Sequence, residues 1–248
     1  MEILKAFNSL LFPTRDLCFY CKEKAYDIEG FLCKTCLKNI QIVNREFEIN
    51  AFYIDRAYYS TIYNEFMRKL VQDFKFHGKS YLYRPLAYLM LETLNEIEED
   101  IDKIFYVPSH RKKEAKRGYN HAELLASYIS KHRDLPISRN NLVKIKNTRP
   151  QNKLDKKERI FNLIDSFKVR DKREVRGKTI LLIDDIITTG STMRECAETL
   201  YLAGAKEIIG LALTSSHKYR EFHLGIPYNI CYKTFILVTL KAKFDTKA

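Results

Sequence analysis

The run from Ile180 to Thr192 limits the folds open to this chain more than any other stretch. Ile180, Leu181, Leu182 and Ile183 lead into the adjacent acids Asp184 and Asp185. Ile186 and Ile187 follow, and then a hydroxyl-rich turn, Thr188, Thr189, Gly190, Ser191 and Thr192. The short apolar run, rich in branched residues, has the length of a strand buried on both faces, as in a parallel sheet. After Gly190 the apolar positions Met193, Ala197, Leu200 and Tyr201 fall on one helical face, and Gly204 stands where a left-handed C-terminal stop is expected. A strand, a polar turn and a helix predict an α/β fold. At such a turn the first backbone N–H groups of the helix have no partner within it and suit an anion. Hydroxyls of Thr188, Thr189, Ser191 and Thr192 can add hydrogen bonds, and Gly190 lets the backbone come close. Asp184 and Asp185 can accept from a sugar diol or hold a hydrated cation. The plainer alternative is a solvated strand end followed by an ordinary helix cap.

Near the N-terminus stand Cys18-x-x-Cys21 and Cys33-x-x-Cys36, with Gly30 to turn the chain between them. Two such knuckles can clamp one tetrahedral Zn²⁺, and four thiolates leave it no open position, so such a site is structural. A redox pair or buried thiols are the other readings. Cys196 and Cys231 are isolated and read as small buried hydrophobes. Residues 1–13 have apolar positions at helical spacing.

Residues 49–59 read as extended. A helix is predicted from Ile62 through Phe66, Leu70, Val71 and Phe74, and a second from Tyr81 to about Asn95. Between them, Lys75, Gly78 and Lys79 form a helix cap with a dipole-compensating cation, or else part of a binding loop. His77 reads as a surface residue. Residues 103–107 are a strand, and the basic loop that follows holds Arg111, Lys112, Lys113, Lys116, Arg117 and Gly118. Asn120 and Glu123 have capping-box spacing and open a helix over 121–130. In a doubly wound sheet ligands bind beyond the carboxyl ends of the strands, so this loop should overhang the same crevice as the hydroxyl turn. Residues 141–145, 164–169, 207–213 and 232–240 read as further strands. Strands alternating with helices predict a parallel sheet flanked by helices.

Lys and Arg outnumber Asp and Glu by 43 to 31, a formal charge of +12. The excess points to a polyanionic or phosphorylated partner. A lysine-rich bias of the proteome would look the same. One part of the excess lies in the loop at Arg111, Lys112 and Lys113, another at Lys153, Lys156, Lys157 and Arg159. With 16 Tyr and 15 Phe, some rings are available to stack bases. No apolar run reaches the roughly 18–20 residues that span a bilayer, and no signal peptide is evident. The expectation is a cytoplasmic protein whose cysteines are reduced or metal-bound.

The run from Ile180 to Thr192 resembles, position for position, the phosphoribosyl pyrophosphate (PRPP) signature of type I phosphoribosyltransferases. That resemblance implies that Asp184 and Asp185 bind the ribose hydroxyls and that Thr188, Thr189, Gly190, Ser191 and Thr192 cradle the 5′-phosphate. It makes Lys75 and Gly78 candidates for the pyrophosphate, carried with Mg²⁺, and the loop of Lys116 and Arg117 a closing lid with a catalytic part. Further pieces are Val107-Pro108, the run from Arg117 to Ala126, Thr148-x-x-Gln151-x-x-Leu154 and Arg159-x-x-Asn162. Together with the cysteine pairs they resemble the ComF family of competence proteins over nearly the whole chain. His121 departs from a position where glutamine is more usual. The resemblance implies a type I phosphoribosyltransferase-like domain over 49–248 behind a helix and four-cysteine zinc finger over 1–48. It further implies a part in natural transformation, handling internalised single-stranded DNA beside a helicase-like partner. The alternatives are an active phosphoribosyltransferase of nucleotide salvage and a non-catalytic PRPP-sensing regulator. No residue stands out as a general acid or base, and no segment reads as a nucleobase hood.

Overall fold

The computed structural model describes residues 17–47, 53–111, 114–115, 118–146 and 166–216. All of them lie in one compact unit, Met1–His217. The expected helix over 1–13, the strand over 232–240 and Cys231 lie outside the described residues.

A five-stranded sheet organises the unit. Strands β4 (Arg56–Ile62), β9 (Glu207–Ser215), β8 (Thr179–Ile187) and β5 (Lys103–Tyr106) lie parallel in that order. β3 (Ile42–Glu46) pairs antiparallel at the β4 edge. Alternation of side chains along β8 sends Leu181 and Ile183 to one core and Ile180 and Leu182 to the other. The first core takes in α2 (Glu65–Phe76), α3 (Tyr83–Thr93) and α4 (His121–Arg133); the second takes in α5 (Ser191–Leu202). Both faces of the sheet are therefore covered, which is why the middle stretches of β8 and β9 are apolar. β8, α5 and β9 are consecutive and form one βαβ unit.

The N-terminal module is small: β1 (Ile28–Glu29), β2 (Leu32–Cys33) and the short α1 (Lys34–Lys38). Its Cys18, Leu32, Cys33 and Cys36 share a core with Met67, Leu70, Val71 and Phe74 of α2.

Two expectations need correction. Ile62 does not start a helix: it ends β4, paired with Ser215, and α2 begins only after Asn64, whose side chain accepts from the Met67 N–H. The strands at Leu142–Lys144 (β6) and Phe167–Val169 (β7) do not join the parallel sheet. They pair with each other, antiparallel, as a separate hairpin. Buried Asn141 ties its base by accepting from the Arg170 and Asp171 N–H groups. Ile42–Glu46, for which the sequence analysis states no expectation, is the edge strand β3.

Gly210 lets α5 sit close to the sheet. A Cβ there would run into Met193 Sδ of α5, with Ile54 Cδ1 at 3.1 Å and Ala57 Cβ at 3.3 Å. Gly210→Val is expected to overpack this contact and cost about 1–3 kcal/mol, measured by denaturant unfolding. An unchanged midpoint would show that α5 can move outward without loss.

Candidate functional site

The four cysteines converge. All four Sγ atoms lie within 4.8 Å of one another, with Cys18–Cys36 at 3.7 Å and Cys21–Cys33 at 3.8 Å. Four sulfurs at about 2.3 Å from a tetrahedral Zn²⁺ stand about 3.8 Å apart, so the residues present fit that ion. The Cys33 N–H points to Cys18 Sγ at 3.4 Å. Burial pushes the Cys18 thiol up, but the backbone N–H groups of Cys33, Cys21 and Tyr20 outweigh it and bring the thiol to about 7. Cys18 is thus ready to ionise and bind a metal.

The second constellation lies at the carboxyl end of β8. The strand carries Asp184 and Asp185 within its length, continues to Ile187, and gives way to the hydroxyl turn. Gly190 takes φ 70°, the left-handed conformation that glycine adopts without steric cost, and is the N-cap of α5. Thr189 Oγ1 and Ser191 Oγ share a hydrogen bond of 2.7 Å. Asp184 accepts from the Asp185 N–H at 2.8 Å. Lys75, at the end of α2, reaches across to Asp185 with a 2.7 Å ion pair whose side chains are only 18% and 12% exposed. Burial and the charge of Asp185 push the Asp184 carboxyl up. Burial pushes Asp185 up as well, but the Lys75 ammonium outweighs it and holds that carboxyl below the usual range. Lys75 thus favours the charged form of Asp185, while burial and its neighbour oppose charging of Asp184.

Of the loop expected at the pyrophosphate, Lys75 therefore stands at the acids. Gly78 has φ 66° just past the helix end. Lys79 is tied to Asp73 at 2.7 Å and exposed His77 to the same carboxylate at 2.7 Å. Asn120 caps α4 by accepting from the Glu123 N–H and donates to the Val107 carbonyl.

Beyond the end of β5 opens a cleft of about 340 Å³, lined by Tyr106, Arg111, Glu114, Lys144 and Arg170 among others. Burial, then the nearby Glu123, push the Glu114 carboxyl up. Glu114, Lys144 and Arg170 escaped the sequence reading. Their signal is topological: the hairpin brings Lys144 and Arg170 to the β5 loop, and local pattern does not show that. Of the basic residues expected to meet DNA, Arg111 is exposed at this cleft. Lys112, Lys113, Lys116 and Arg117, and Lys153, Lys156, Lys157 and Arg159 with the Thr148–Asn162 pattern, lie outside the described residues.

Comparison with known proteins matches residues 115–239, half of the chain, to the phosphoribosyl transferase domain. The chain belongs to that family, as a parallel sheet with the signature turn at the end of β8 leads one to expect. Competence protein F of Haemophilus influenzae is 28% identical over 213 residues, covering 77% of this chain and 93% of its own. Competence protein ComFC of Bacillus subtilis is 28% identical over 208 residues, 79% of this chain and 82% of its own. DNA utilization protein YhgH of Escherichia coli K12 is 26% identical over 144 residues, 56% of this chain and 63% of its own. Within the transferase family, the chain is thus a ComF-family protein. No helix among the described residues is long and apolar enough to cross a membrane.

Proposed function

We propose that this protein is a competence factor that acts on internalised single-stranded DNA in the cytoplasm and has kept a PRPP site at the end of β8. The observation that carries the reading is the Lys75–Asp185 pair beside Asp184 and the hydroxyl turn. It supplies two carboxylates for a ribose diol, a hydroxyl and backbone cradle for a phosphate, and a cation. Mg²⁺ carried by the pyrophosphate would neutralise its charge. The division is then a metal module over residues 1–48, with one structural Zn²⁺ on Cys18, Cys21, Cys33 and Cys36 and its last strand, β3, added to the edge of the main sheet, and a PRPP-binding domain over residues 49–248. A helicase-like ATPase is the protein partner this reading implies. The printed names of the relatives, two competence proteins and a DNA utilization protein, support the role in DNA uptake.

The formal +12, with Arg111, Lys144 and Arg170 around one cleft, supports phosphate contacts along a strand. Among the described residues, most rings are core or packed on it.

In a deletion strain, the wild-type gene should restore transformation and Asp184→Ala/Asp185→Ala should not; equal rescue would separate the site from DNA uptake. In oligonucleotide titrations, log affinity should fall with log salt by about 0.7 per phosphate neutralised. Charge reversal at Lys112, Lys113, Lys156 and Lys157 should reduce both affinity and slope. No binding at low salt, or binding unaffected by the reversals, would remove the DNA part of the reading.

A further inference from the structure

The metal module and the signature strand both bear on the helix α2. Tyr20 stands between the metal ligands Cys18 and Cys21, and its ring meets Phe66 of α2 edge-on, with centroids 5.2 Å apart at 75°. Phe19 packs edge-on against Tyr81, just past the turn, at 6.1 Å, and Lys22 Nζ lies 3.9 Å from the centre of the same ring. Gly30 presses on α3: a Cβ there would enter the Tyr88 ring. From the sheet side, the Tyr119 hydroxyl donates to the Phe74 carbonyl at 2.6 Å, and Lys75 reaches Asp185.

The helix α2 is therefore held by the knuckle at Phe66 and by the sheet side at Phe74 and Lys75. The knuckle residues that bear on it keep their conformation only while their cysteines are held together, which is the work of a structural metal. We infer that the four-cysteine module is a splint for the PRPP site: the metal-held knuckle, through Tyr20, sets the α2 end that presents Lys75 to Asp185. Metal occupancy and PRPP affinity are then coupled, and by linkage PRPP must retain the metal as strongly as the metal favours PRPP. Tyr20 is a positioning residue, since it reaches the site only through α2. The inference rests on the PRPP reading above for its ligand but not for its mechanics.

The test uses the full chain with zinc bound. Tyr20→Ala, checked for one zinc per chain, should weaken PRPP–Mg²⁺ binding about 5- to 20-fold by calorimetry, within the usual range of coupled sites. Tyr20→Phe, which keeps the ring, should stay within about twofold. In a Lys75→Met background the Tyr20→Ala loss should shrink to about twofold or less, because the two changes act on one interaction. Saturating PRPP should slow zinc transfer to a chelator. A zinc-loaded Tyr20→Ala protein that binds PRPP like wild type overturns the inference, as does an equal loss in both backgrounds. If even wild type fails to bind PRPP, the site reading falls, and hydrogen exchange decides the splint by itself. Amides of 73–79 should lose protection in zinc-loaded Tyr20→Ala, and unchanged protection overturns it.

Discussion

Cys36→Ser is expected to leave the purified protein with well under one zinc per chain and to lower its unfolding midpoint by on the order of 10 °C. Cys36 is buried in the same core as α2 and α3, so a metal bound there would hold more than a peripheral loop. A structural zinc contributes its binding free energy to folding, and each kcal/mol lost shifts the midpoint of a chain this size by about 2–4 °C. Removing one of four ligands also leaves buried thiols without their cation. Strong chelation of the wild-type protein should reproduce the shift. Metal analysis showing no zinc in protein prepared without chelator would end the assignment. A redox pair would instead lose its thiol titre on mild oxidation with no change in metal.

The second large effect belongs to Asp184 and Asp185. Replacing both by alanine should weaken PRPP–Mg²⁺ binding by at least about 100-fold, since charged hydrogen bonds are worth about 1.5–3 kcal/mol each. The direction discriminates. If the site attracted PRPP by net charge alone, removing two carboxylates and freeing Lys75 from Asp185 would tighten binding of a polyanion. If the carboxylates hold the sugar hydroxyls, binding is lost although the site has become more positive.

Much of this site could be read along the chain because its parts are contiguous. An apolar run, two acids and a hydroxyl turn with Gly190 specify strand, turn and helix over a dozen residues, and β8 and α5 follow that order. The cap at Asn120 and the stop at Gly204, with φ 101°, were equally local. What depends on distant partners was hidden. Ile62 is apolar at a spacing that serves a helix or a strand, and its pairing with Ser215 on β9 decides for the strand. β6 and β7 looked like two more strands of the main sheet because nothing in either shows that they pair with each other. Lys75 reads along the chain as a helix cap or a ligand, and nothing local shows that α2 ends against Asp185. The cysteine spacing announced a metal knuckle, but not that Tyr20 inside it would lie on Phe66.

The measurement that bears most directly on the whole reading is a calorimetric titration of PRPP with Mg²⁺ into zinc-loaded wild type and into Asp184→Ala/Asp185→Ala. The site described here predicts saturable, one-to-one binding at millimolar affinity or tighter to the wild type and none detectable to the double variant at the same concentrations. Equal binding by the two proteins would contradict it.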